Sequence, residues 1–189
     1  GWKKSILTKP HIISSETEHK SIITCLQDLE KMKEIELTLI EPTEYGIIHP
    51  KHIEEAIKPN TALISIMFAN NEIGCINPIS TIGELASSRN IPFHSDCVQI
   101  FGKKIPNLKE SNINAASMSF HKLFGPQGIG VAIIDKDLIE GYKLTGEISG
   151  TQQGGLRGGT ENIPRIAGAT GALIWNNKNR DVKNDKLHK

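Results

Sequence analysis

Strand-length apolar runs alternate with helix-length stripes along most of this chain, and that alternation restricts the fold more than any other feature. The run Thr61–Phe68, TALISIMF, is the clearest case. It has the length of a strand and no clean polar alternation, which suits a strand covered on both faces. His11–Ser15, Glu36–Ile40, Ile91–Ser95, Ala115–Phe120 and Gly130–Ile134 read as further strands. Between them, Glu18–Lys33 spaces Ile22, Leu26, Leu29 and Met32 at three or four residues and predicts a helix with one buried face. His49–Ile57 predicts a short helix closed by Lys58-Pro59-Asn60. Asn77 reads as an N-cap, with Pro78 at the first helical position, for a helix through Ile79, Ile82 and Leu85. A last helix is predicted over Ile163–Trp175 through Ile163, Ile166, Ala167 and Ile174. Repeated β-α units of this kind imply an α/β fold, a mostly parallel sheet with helices on both faces.

Composition removes several functional classes. Lys and Arg number 22 against 21 Asp and Glu, so no charge excess calls for nucleic acid or a membrane surface. Cys25, Cys75 and Cys97 are odd in number, widely spaced and without a C-x-x-C pair. That pattern gives neither a zinc ribbon nor a disulfide framework, and it suits a reducing, cytoplasmic setting. No run approaches the roughly 18 apolar residues of a membrane helix, and no secretory leader opens the chain. The chain starts GWKKSILTKP, without Met, and ends in the polar NNKNRDVKNDKLHK. Those ends read as cuts in a longer protein, with one domain over residues 1–175 and a polar tail over 176–189 leading toward a further domain.

In open α/β sheets, ligands bind beyond the carboxyl ends of strands. Four predicted strands end there in polar residues: Glu18-His19-Lys20-Ser21, Ala69-Asn70-Asn71-Glu72, Asp96-Cys97-Val98-Gln99 and His121-Lys122. A lysine and an aspartate in one pocket match the needs of pyridoxal phosphate. That cofactor takes a lysine amine on its aldehyde and a carboxylate to keep its ring nitrogen protonated. An imidazole can stack on its ring, and hydroxyls and backbone N–H groups can hold its phosphate. Gly125, Gly128 and Gly130 read as conformational, since their spacing is not the dinucleotide fingerprint, and a plain nucleotide-binding domain is poorly supported. His94, Cys75 and Cys97 read as core or supporting residues.

Taken together and in order, EHKS, ANNEIG, HSDCVQIFGK, SFHKLFGPQGIG and GLRGGTEN resemble the class-V aminotransferase family, nearest to NifS/IscS-type cysteine desulfurases and selenocysteine lyases. The resemblance runs from about His11 to Ala172. It implies the large domain of a fold type I pyridoxal phosphate enzyme, a homodimer, and a part in iron–sulfur cluster assembly. It also implies L-cysteine as substrate, with sulfur passing to an enzyme thiol and on to an acceptor protein. Carried over residue by residue, Lys122 is the lysine that bonds the cofactor, and Asp96 faces its ring nitrogen. Gln99 and Asn71 lie near its phenolic oxygen, and His19 stacks on the ring and serves in proton transfer. Ser119 and His121 hold the phosphate, and Thr160 reaches the phosphate in the neighbouring subunit.

Parts of the family's machinery fall outside these residues. They are an upstream glycine-threonine loop for the phosphate, and a downstream arginine and nucleophilic cysteine. Phe120 and the stretch Ser149–Gly154 also depart from the family pattern. Besides a desulfurase, the same residues allow a selenocysteine lyase or another class-V enzyme. A non-catalytic remnant that dimerises or binds a partner is a further alternative, although a scaffold has no need of Lys122, Asp96 and His19.

Overall fold

The computed structural model describes residues 9–104 and 107–187, so Gly1–Thr8 and His188-Lys189 of the two polar ends lie outside the described residues. Six strands form one sheet: β1 (His11–Ser15), β2 (Glu36–Ile40), β3 (Thr61–Ser65), β4 (Phe93–Asp96), β5 (Ala115–Ser119) and β6 (Gly130–Ile134). Their order is β2-β1-β3-β4-β5-β6, with every neighbouring pair parallel except β5–β6. The mostly parallel α/β expectation therefore stands. The antiparallel β6 follows from its short connection, since ten residues from Phe120 to Ile129 return the chain beside β5 without a crossover helix.

The α-helices among the described residues are α1 (Lys20–Lys31), α2 (Pro50–Ala56), α3 (Ile79–Ser88), α4 (Lys136–Tyr142) and α5 (Ile163–Leu187). Side chains on a strand alternate between faces, so adjacent residues of β1 supply two different cores. Ile12 packs with Leu26 of α1 and Ile35. Ile13 joins the larger core of Ile53, Ile64, Ile82, Phe93 and Met118, drawn from α2, β3, α3, β4 and β5. Burying side chains of that size contributes about 2 kcal/mol each before entropy is counted. At the amino ends of the sheet, His11 is fully buried and ties three strands together, with Nδ1 2.9 Å from Thr61 Oγ1 and Nε2 2.8 Å from Thr38 Oγ1.

Several sequence-based expectations need correction. Met32 is the C-cap of α1 and is exposed, not part of its buried face. Asn77 does not cap α3, whose start carries no side-chain cap bond. Its Oδ1 accepts from Ile48 N at 2.9 Å and its Nδ2 donates to Met67 O at 2.8 Å, bonds that stitch two loops together. Residues 66–68 leave the regular strand but still bond to β4, Ile66 N to His94 O and Phe68 N to Asp96 O. Helix α5 continues through the expected polar tail to Leu187, and among its described side chains Ala169 and Asn176, not Ile163, Ile166 and Ile174, are buried.

Candidate functional site

Parallel β1, β3, β4 and β5 are consecutive neighbours, so their carboxyl ends open on one edge of the sheet. Each contributes a polar turn there, which is the arrangement that makes such an edge a binding crevice.

The turn after β1 ends at His19, the N-cap of α1. Its Nδ1 accepts from Ser21 N at 3.2 Å and lies 2.8 Å from Ser21 Oγ. His49 caps α2 in the same way, so capping by itself does not mark a functional histidine. What distinguishes His19 is its position on the edge, and its Nε2 makes no hydrogen bond among the described residues. The chain leaving β3 makes a tight excursion closed by Asn70 N to Cys75 O and Asn77 N to Phe68 O. Asn70 Oδ1 accepts from the Glu72 and Ile73 amides, which sets the turn and leaves Asn71 exposed beside it.

Asp96 closes β4 and is buried at 7% exposure. One carboxylate oxygen accepts from Val98 N at 2.9 Å, and no other described residue bonds the carboxylate. Gln99 follows, half-buried, in the next turn. Two residues back on the same strand face, His94 spans β3 to β5, with Nδ1 2.9 Å from Ser65 Oγ and Nε2 3.3 Å from Ser117 Oγ. Burial holds this imidazole below its usual range, against the pull of the Asp96 charge. Cys97 is fully buried and desolvation pushes its thiol up to about 11, so it stays protonated and unreactive at neutral pH.

After β5 a one-turn 3₁₀ helix, Phe120–Leu123, carries the lysine. Leu123 is buried and points inward, while Lys122 is exposed and its ammonium meets no hydrogen bond or ion pair among the described residues. Ser119 Oγ lies 2.7 Å from His121 Nδ1. Gly102 (φ +82°) sits so close that a Cβ there would overlap Leu123 Cδ2. Helix α5 braces the same turn: Ala172 lies against Gly125, Asn176 approaches Gly102, and the Trp175 ring meets Phe124 edge-on at 5.8 Å.

His19, Asn71, Asp96, Gln99, Ser119, His121 and Lys122 thus gather along one sheet edge. Thr160 does not join them: it is exposed, in the segment between α4 and α5, and no bond links it to the others among the described residues. Sequence reasoning passed over Glu18. Its carboxylate, 6% exposed, accepts from Met67 N at 2.6 Å and Ser15 Oγ at 3.1 Å, so it crosses from the β1 end to the β3 end. An acid just before a helix reads as surface, and nothing in the linear pattern signals that this one turns inward.

The chain matches the aminotransferase class-V family over residues 1–189. It is 40% identical over 178 residues to cysteine desulfurase IscS of Clostridium botulinum, covering 94% of this chain and 44% of that protein. It is 39% identical over 183 residues to the mitochondrial cysteine desulfurase of Saccharomyces cerevisiae, covering 96% of this chain and 36% of that protein. Among solved structures, SspA in complex with cysteine superposes with a TM-score of 0.83 at 40% identity, covering 88% of this chain and 47% of that one. A NifS-like protein gives 0.85 at 32% identity, covering 93% and 48%. The chain therefore spans less than half the length of these relatives.

Proposed function

Because the chain belongs to the class-V aminotransferase family, we propose that the β1–β3–β4–β5 edge is the pyridoxal phosphate pocket of a cysteine desulfurase, and that these residues form its central part. The observation that carries the reading is the pairing of Asp96 and Lys122. A buried carboxylate with an unbonded oxygen ends one strand, and an unpaired primary amine follows the end of the next. That donor set fits the cofactor's two demands, a nucleophilic amine and an anion for a protonated ring nitrogen.

When bound, pyridoxal phosphate supplies a cationic ring that withdraws the electrons released at the substrate's α-carbon. Lys122 would hold it through the side-chain amine, and its Nζ would move the proton of the substrate's α-carbon. Asp96 would face the ring nitrogen, from a buried position where a charge interaction is strengthened. His19 stacks with its ring, its orientation set by the Nδ1 cap bonds, and handles a proton at Nε2. Asn71 and Gln99 orient the ring face and the substrate. Ser119, with His121 hydrogen-bonded to it, offers donors to the phosphate. Thr160, exposed and unconnected to this group, serves the phosphate of a second copy in a homodimer.

The substrate in this reading is L-cysteine, the products are alanine and a sulfur atom passed to a thiol, and an acceptor protein takes it onward. The buried, protonated Cys97 is not the receiving thiol; that role falls to a cysteine outside these residues. Free Cys25, Cys75 and Cys97 suit a reducing compartment, and no described helix is long and apolar enough to cross a membrane. The test is borohydride reduction of the whole protein loaded with pyridoxal phosphate, followed by peptide mass mapping. Label on Lys122, abolished in Lys122→Ala, is expected; label on another lysine, or none, defeats the assignment.

A further inference from the structure

Glu18 is buried one residue before His19, and nothing in the proposed function accounts for it. Both of its bonds among the described residues fall on Oε1; Oε2 is buried and has no hydrogen-bond partner among them. The groups acting on it are Ser15 from the β1 end, the Met67 amide from the β3 end and Asp96 from the β4 end. None is a cation. An ionised carboxylate there would face a like charge with one oxygen wholly unsatisfied, whereas a neutral acid would leave a single O–H to place. Desolvation, opposed by the Met67 and Ser15 bonds and reinforced by Asp96, raises the carboxyl to about 7. A second bond runs beside this one, Asn70 Nδ2 to Thr17 O at 2.8 Å. Together they fasten residues 15–19 to residues 67–73, the two turns that carry His19 and Asn71.

We propose that Glu18 is a positioning residue: in mildly acid to near-neutral solution it clasps, as a neutral acid, the His19 turn to the Asn71 turn, and there it leaves the negative charge of the carboxyl pair to Asp96. The clasp stands on this chain's own geometry; the part concerning Asp96 rests on the proposed function.

The experiment uses the whole protein as wild type, Glu18→Gln and Glu18→Ala. In the cofactor-free protein, an infrared pH titration should show a protonated-carboxyl band that is half lost near pH 7 and missing from Glu18→Gln. A carboxyl raised in the folded state stabilises it fully below its unfolded value of 4.5, and that gain fades as pH rises through about 7. The wild-type Tm, taken relative to Glu18→Gln, should therefore fall across that interval. A merely structural carboxylate would give a constant difference. With pyridoxal phosphate added, Glu18→Gln should bind within about threefold of wild type, and Glu18→Ala about tenfold more weakly, the loss of one buried bond. A wild-type protein without the acid band, or a Tm difference that ignores pH, overturns the proposal, as does cofactor affinity unchanged in Glu18→Ala. Failure of all three proteins to bind pyridoxal phosphate would defeat the proposed function, while the first two measurements still decide the state of Glu18.

Discussion

In the proposed pocket His19 divides its two ring nitrogens between structure and chemistry, Nδ1 capping α1 and Nε2 left for the site, and that division can be measured. His19→Ala removes the cap and should cost about 1 kcal/mol of stability as well as the stacking ring. His19→Asn keeps a capping side chain, so its Tm should stay near wild type while visible absorbance of bound cofactor and turnover change. His49→Ala is the control, expected to lower Tm by a similar amount without touching the site. At the opposite end of the sheet, burial and the Lys58 charge hold His11 below its usual value, with Glu36 opposing. A lowered histidine keeps its stabilising effect above 6.5 and loses it as pH falls below that value, so wild-type Tm should drop in mild acid and drop less in His11→Gln. That trend has the opposite sign to the Glu18 effect, so scans over pH must be read as differences between variants. The places of Lys122 and Asp96 beside strand ends were legible in the linear sequence because a polar residue ending a buried strand is conspicuous. Glu18 was not, because its burial depends on Met67, a residue 49 positions away.

Among the elements, the strands were the most legible part, since apolar runs of fixed length leave little alternative once both faces must be covered. Helices were legible in position but not in facing. Period-three spacing in α5 gives Ile163, Ile166 and Ile174, all exposed, while the small Ala169 takes the buried place. Asn77 was misjudged for a related reason: a local capping bond and a long-range loop bond use the same side chain, and tertiary contacts decided between them. Asn77→Ala should cost about 2–3 kcal/mol, because it strands the Ile48 amide and the Met67 carbonyl; denaturant unfolding would show this as a lower midpoint with an unchanged slope. Gly102→Ala acts differently. It strains a left-handed backbone position and forces Leu123 aside, so a loss of about 1–3 kcal/mol should come with reduced labelling of the adjacent Lys122.

On the scale of the whole molecule, no single stretch of chain owns the site. Its side chains come from the strands that end at residues 15, 65, 96 and 119 and from the turns that follow them, brought side by side when the sheet forms. These residues alone should release little or no sulfide from L-cysteine, measured against the whole protein, because the proposed receiving thiol and substrate clamp lie elsewhere; vigorous release would contradict that. The antiparallel return to β6 has a mechanical consequence. Ser119 and Gly130 face each other in register, so the span holding Lys122 is pinned at both feet to a single ladder. The amine's travel is then limited to the swing of its own four methylenes, so in the proposed pocket the aldehyde would have to be carried to it by whatever grips the far side of the ring.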